Sequence, residues 1–151
     1  KGIDFTKKNK IEFLVVNYKN KNKAEKKILL NLKKKKIVLI CLAGFMKILS
    51  KQFVSKYKGR ILNIHPSLLP KYIGLNTHER VLENHEEVTG CTVHEVTCEL
   101  DCGRILGQAT VPIFPDDTVE AIKSRVLEKE HILYPKTLEQ FCLGRSDLII
   151  M

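Results

Sequence analysis

The sequence has no apolar run approaching the ~20 residues that a membrane-spanning helix needs. Its longest candidate, residues 37–45, has the length and composition of a buried strand. No charged-then-apolar segment leads the chain, which argues against a secretory signal, and it opens on Lys1 rather than Met. The reading is a processed, trimmed or incompletely represented chain. A disulfide framework is also missing. The five cysteines, Cys41, Cys91, Cys98, Cys102 and Cys142, are odd in number and scattered among apolar residues, which points to free thiols in an intracellular, cytoplasmic protein. Cys98 and Cys102 bracket Glu99-Leu100-Asp101, but no second Cys or His pair follows at zinc-ligand spacing. No metal site is expected.

What is present suits one globular domain. The 151 residues are 44% hydrophobic and 28% charged, enough apolar content to exclude disorder and too short a chain for a comfortable second domain. The formal charge of +9 is unevenly placed: residues 1–36 hold 13 lysines against Asp4, Glu12 and Glu25, and the remainder is close to neutral. Such a block can attract an anionic partner. No aromatic residue is interleaved with the lysines to stack on bases, so a solvated helix face is the better reading and nucleic acid is not expected as a partner.

Hydrophobic patterning alternates strands with helices. Residues 12–16 read as a strand. Residues 23–32 carry Ala24, Ile28, Leu29 and Leu32 at helical spacing, and residues 37–42 form a continuous, partly β-branched run suited to a strand buried on both faces. Ser50 can cap a short helix bearing Phe53, Val54 and Tyr57, ended by Gly59. Residues 61–64 form another strand, a Pro-, Lys- and Gly-containing loop follows from His65 to Thr77, and a short helix runs to Asn84. Two further strands cover 91–97 and 105–113. Asp117-Thr118-Val119-Glu120 has capping-box spacing before a long helix that Pro135 interrupts or kinks. This order favours an α/β fold.

The segment 63–72, Asn-Ile-His-Pro-Ser-Leu-Leu-Pro-Lys-Tyr, carries the chemistry. Residues i and i+2 of a strand share a face, so Asn63 and His65 project together where the strand gives way to a loop, at the edge where open α/β sheets bind ligands. An amide beside an imidazole suits attack on a carbonyl: the amide stabilises the oxyanion, and an imidazolium adds a second hydrogen bond and a proton. The bland alternative is an asparagine satisfying loop backbone beside an incidental histidine. Asp101, in a turn loosened by Gly103, can face a histidine brought near by the fold; a carboxylate within about 4–6 Å favours the imidazolium. Taken alone, an ordinary solvated aspartate explains it as well. His78, His94 and His131 have no comparable partner in sequence, and His94, within a strand, reads as a structural histidine.

Residues 42–50 (LAGFMKILS), 63–72, Thr77-His78, 97–103, and Glu130-His131 before Tyr134-Pro135 are similar to motifs of the phosphoribosylglycinamide formyltransferases, over about residues 37–142. The resemblance implies a Rossmann-like formyltransferase fold, a mostly parallel sheet with helices on both faces, and a single domain over 1–151. It implies formyl transfer from 10-formyltetrahydrofolate to the amine of glycinamide ribonucleotide in purine biosynthesis, with those two small molecules as partners and no metal. Asn63, His65 and Asp101 correspond to the catalytic trio. Lys21 or Lys23, with Met46, Lys47, Ile48, Leu49, Phe53, Val54, Asn63, Val96, Thr97, Cys98, Glu99, Leu100 and Asp101, correspond to the folate site, and Glu130 to the ribonucleotide site. The Asn, His and Asp signature is shared with methionyl-tRNA formyltransferase and formyltetrahydrofolate hydrolase.

The chain also departs from that pattern. Lys47 stands where arginine is common, Ile73 and Asn76 replace a frequent proline and histidine, and Arg104 sits where proline is usual. Cys98 and Cys102 replace an aspartate and a glycine in the folate loop. The family's first strand and glycine-rich phosphate loop have no counterpart here, so the expectation is a domain that is N-terminally incomplete. A non-catalytic, basic nucleic-acid-binding fragment is the alternative of another class.

Overall fold

The computed structural model describes residues 2–145 and 147–151, and its contacts divide the chain into two units, one ending at Ile37 and the other running from Val38 to Met151. In the first unit, α1 (Gly2–Lys8) precedes α2 (Lys21–Lys34). Asn20 caps α2, its side-chain oxygen accepting the N–H of Lys23 at 3.0 Å. Lys33 and Lys34 lie in the last turn, where cations complement the helix dipole. Ala24 is buried, and Ile28, Leu29 and Leu32 are half-buried along the expected stripe. The strand expected over 12–16 does not form: the segment has no regular structure, and Phe13, Leu14 and Val15 are exposed. A strand persists through ladder bonds to a neighbour, and among the described residues none pairs with this segment.

The second unit is an α/β sheet. Its elements are β1 (Ile40–Leu42), α3 (Lys51–Lys56), β2 (Ile61–His65), α4 (Thr77–Glu83), β3 (Val88–Glu95), β4 (Ile105–Pro112), α5 (Val119–Cys142) and β5 (Ile149–Ile150). The strands lie in the order β1-β2-β3-β4-β5. Pairs β1–β2 and β4–β5 are parallel, and β3 is antiparallel to both neighbours. Four of the five strands therefore point one way. The run at 37–42 is in strand only from Ile40, and β5 had no signal in the sequence beyond two isoleucines.

The core explains the arrangement. Leu62, Cys91, Val93, Ala109 and Val111 of the sheet meet Ile122, Val126 and Leu133 of α5, each fully or almost fully buried. Gly107 allows this approach: a Cβ there would lie 2.8 Å from Thr137 Oγ1 and 3.1 Å from Leu133 Cδ1. Ser50 caps α3 as expected, accepting from Phe53 N at 3.1 Å. The cap of α5 is Thr118, whose hydroxyl accepts from Ala121 N at 3.2 Å; the Asp117 carboxylate instead takes Phe114 N and pairs with Arg125. Pro135 does not interrupt α5, which continues to Cys142. The proline is exposed, so the lost ladder bond falls on the solvent side. Further along that helix, the half-buried Tyr134 shares its hydroxyl proton between the carbonyls of Leu42 and Leu62, at 3.0 and 3.1 Å. Among the described residues, no helix is long and apolar enough to cross a membrane.

Candidate active site

Strand β2 delivers Asn63 and His65 to one face, and the loop that follows is held from beneath. Thr92 of β3, wholly buried, donates its hydroxyl to Ser67 O (2.6 Å) and accepts from Leu69 N (3.0 Å) and Gln108 Nε2 (3.0 Å). Gln108 also donates to Leu69 O at 2.9 Å. Ser67 Oγ closes the turn onto Lys71 O at 2.7 Å. Buried polar groups this fully satisfied rigidify what they hold. The loop returns the Tyr72 carbonyl to His65, whose Nε2 donates to it at 2.9 Å. A carbonyl only accepts, so Nε2 carries a proton and Nδ1 is the nitrogen left for other work.

That nitrogen faces Asp101. The aspartate lies in the loop between β3 and β4, at φ +50°, with its side chain 8% exposed. Asp101 Oδ2 is 3.5 Å from His65 Nδ1 and accepts the backbone N–H of Gly74 at 3.0 Å. Asp101 Oδ1 is 3.5 Å from Nε2 of His94. Burial pushes the Asp101 carboxyl up, but the His94 contact, the Gly74 N–H and the charges of the two imidazoles outweigh it and hold the group below its ordinary value.

His94 is the residue that sequence reasoning missed. It is 2% exposed and pairs directly with Asn63 across the β2–β3 ladder. Its Nδ1 donates to the Glu95 carbonyl at 2.9 Å, and its Nε2 lies 3.3 Å from Asn63 Nδ2. Nε2 accepts from the amide when the ring is neutral and donates to Asp101 when it is charged. The signal was a lone polar ring among the buried residues of β3, and only the antiparallel register reveals its neighbours.

An open cleft lies over this cluster. It is lined by Leu42 at the end of β1, by Phe45, Lys47, Ile48 and Leu49 after it, by Asn63 and His94, and by residues 96–101. Ten of the residues singled out in the sequence thus come together: Lys47, Ile48, Leu49, Asn63, Val96, Thr97, Cys98, Glu99, Leu100 and Asp101. Met46 does not line the cleft; it is 77% exposed. Phe53 and Val54 are core residues of α3, 2% and 4% exposed, because the helix turns its apolar side inward. Lys21 opens α2 in the first unit. Glu130, half-buried on α5, stands apart from the lining; burial raises its carboxyl, opposed by His131. His78 keeps a buried Nδ1 with no partner among the described residues, and burial lowers its affinity for a proton.

Fold and cleft define an α/β protein whose polar cluster sits at the carboxyl end of a sheet strand, beneath loops from neighbouring strands. A formyl transferase family model matches residues 2–138, and the chain belongs to that family. The phosphoribosylglycinamide formyltransferase of Escherichia coli (strain K12) is 54% identical over 110 residues, 73% of this chain and 52% of that protein. The human trifunctional purine biosynthetic protein adenosine-3 is 43% identical over 150 residues, 97% of this chain and 15% of that protein. The solved structure of the Coxiella burnetii phosphoribosylglycinamide formyltransferase is similar with a TM-score of 0.89 at 44% identity, covering 95% of this chain and 69% of that one. The sheet has the Rossmann-like formyltransferase fold. The chain spans about half the length of the bacterial curated relatives it matches.

Proposed function

We propose that this chain carries the formyl-transfer site of a phosphoribosylglycinamide formyltransferase, moving a formyl group from 10-formyltetrahydrofolate to the amine of glycinamide ribonucleotide. The observation that carries the reading is the Asp101 carboxylate, buried at the mouth of the cleft between His65 and His94 at 3.5 Å each and beside the amide of Asn63. The folate lies along residues 47–49 and 96–101, with its formyl carbon over Asn63. Lys47 supplies a point charge to the folate carboxylates rather than a bidentate fork. Glu130 contacts the ribonucleotide.

The amine attacks the formyl carbon directly, and Asn63 donates an N–H to the oxygen as it becomes an oxyanion. His65 Nε2–H is committed to the Tyr72 carbonyl, so the imidazolium serves through Nδ1–H, on the side of Asp101. The 3.5 Å separation is too long for a tight hydrogen bond, and with its ring held by Tyr72 the imidazolium stabilises the oxyanion by its charge rather than by turning a proton toward it. Asp101 takes the proton that the amine sheds on attack and passes it to the folate nitrogen, which leaves protonated as the tetrahedral species collapses. No covalent enzyme intermediate is required.

The test is formyl transfer by the protein with both substrates, read at 10-formyl-folate consumption. Asn63→Ala should lower turnover by ~10²–10³ with little change in folate affinity. Near-normal transfer by that variant would remove this mechanism. Formate release without ribonucleotide would replace transfer with hydrolysis.

A further inference from the structure

The loop that carries Asp101 has a narrow neck. Glu95 N donates to Arg104 O at 2.9 Å, and the Arg104 side chain grips Glu95 Oε1 at 2.9 and 2.6 Å. One step further in, the two limbs nearly touch: a Cβ on Gly103 would lie 1.7 Å from Glu95 O and 3.2 Å from Thr97 Cγ2. The chain then reverses through the turn at Leu100 and Asp101. Cys98 and Cys102 stand on opposite limbs of this reversal, next to Thr97 and Gly103. Both are exposed thiols. Cys102 turns its S–H onto the Leu100 carbonyl at 3.0 Å, within the loop, while Cys98 lines the cleft. The Gly103–Thr97 approach draws the limbs together one residue outside Cys98 and Cys102, so that a disulfide, which spans ~4.4–6.8 Å between Cα atoms, would link them across the reversal.

We propose that Cys98 and Cys102 form a reversible modification site, a dithiol that closes across the neck of the Asp101 loop by exchange with a small-molecule disulfide. The thiolate of Cys98 attacks one sulfur of that oxidant, forming a mixed disulfide and releasing one thiol. The thiolate of Cys102 then displaces the second thiol and completes the Cys98–Cys102 bond. The pair loses two electrons and two protons, which the released thiols carry, and a dithiol reductant reverses the step. Closure removes the Cys102 contact to Leu100, redraws the turn that aims Asp101, and takes the Cys98 thiol out of the cleft lining. That consequence for catalysis rests on the proposed function; the chemistry at the two thiols does not.

The experiment treats the protein with glutathione disulfide and follows intact mass, peptide mapping and formyl transfer. The expected result is loss of two hydrogens mapped to a Cys98–Cys102 link, with turnover reduced roughly tenfold or more as Asp101 shifts and restored by dithiothreitol. Cys98→Ser and Cys102→Ser should each stop at a single mixed disulfide on the remaining thiol of the pair. A Cys41→Ser, Cys142→Ser background, which removes the other two exposed thiols, should still close the link. A folate analogue should slow closure. Separate mixed disulfides on Cys98 and Cys102 in the unsubstituted protein, with no link between them, would overturn the site. A link that leaves turnover unchanged would overturn its effect on Asp101. Absence of formyl transfer by the reduced protein would count against the proposed function and leave the mass measurement to judge the dithiol alone.

Discussion

Gly103→Ala offers a direct test of how the Asp101 loop is built. The residue does not occupy the left-handed region, so its role is steric. A Cβ there would stand 1.7 Å from the Glu95 carbonyl oxygen and 2.7 Å from its carbon. Both neighbours are backbone, which cannot swing aside as a side-chain tip does. Relief needs the limbs to part by more than about 1 Å, against contacts normally held near van der Waals distance. Overpacking of this kind costs about 1–3 kcal/mol, and loosening the Glu95–Arg104 backbone bond costs about 1 kcal/mol more. Lower entropy of the unfolded chain returns about 0.4–1 kcal/mol. The net is a loss of roughly 1–3 kcal/mol. The catalytic loss should reach about 10²-fold, because Asp101 lies two residues away and a ~1 Å misplacement costs about that much. Thermal unfolding and steady-state formyl transfer measure the two effects together, with Gly2→Ala, where nothing lies within 4 Å, as the control. If Gly103→Ala keeps turnover and folate affinity within about twofold of the parent, the close neck does not position Asp101 and the reasoning fails.

Leu133→Ala removes a wholly buried side chain packed against Gly107 and should cost ~2–5 kcal/mol, seen as a lower denaturation midpoint with an unchanged slope. For Asp101→Asn the sign follows from the depressed carboxyl. The stabilisation is present above the unfolded-state value near 4 and lost as pH falls through the lower folded value. The variant should therefore be less stable than the parent at pH 7, with the gap closing only in strong acid; a gap that widens on acidification would contradict this. A folate analogue should protect the amides of 47–49 and 96–101 from hydrogen exchange, and protection confined to residues 1–36 would favour the basic segment as the binding surface instead.

The readable parts of the sequence were those decided by near neighbours. Asn63 and His65 needed only strand alternation and the Pro-rich loop after it, and the Ser50 cap needed only a hydroxyl three residues before an amide. Asp101 was ambiguous from its own surroundings, because Gly74 and His65 are 27 and 36 residues away and His94, seven residues away, meets it only through the reversal of the β3–β4 loop; family resemblance supplied it. His94 was set aside because its meaning depends on the antiparallel register that sets it opposite Asn63. The apolar run at 12–16 shows the converse error. Its pattern suits a strand, but pattern supplies no ladder partner. Pro135 was overweighted for a similar reason, since a helix anchored by Leu133 and Thr137 tolerates one missing bond on its wet side.

The hold of Gly74 on Asp101 comes from a main-chain N–H, a group that every residue except proline possesses. Side chains around it, those of Ile73 and Asn76 among them, can therefore change without cutting the tether. What matters at this point is a shape, the φ of +86° at which Gly74 aims that N–H and which side-chain-bearing residues seldom adopt. Alanine substitution would thus confuse strain with the loss of the contact. Replacing the Ile73–Gly74 amide with an ester would delete that donor without touching φ, and Arg80→Ala, which frees the Ile73 carbonyl that the ester also weakens, would control for the second effect and leave the weight of the hydrogen bond by which the loop after β2 holds the loop after β3.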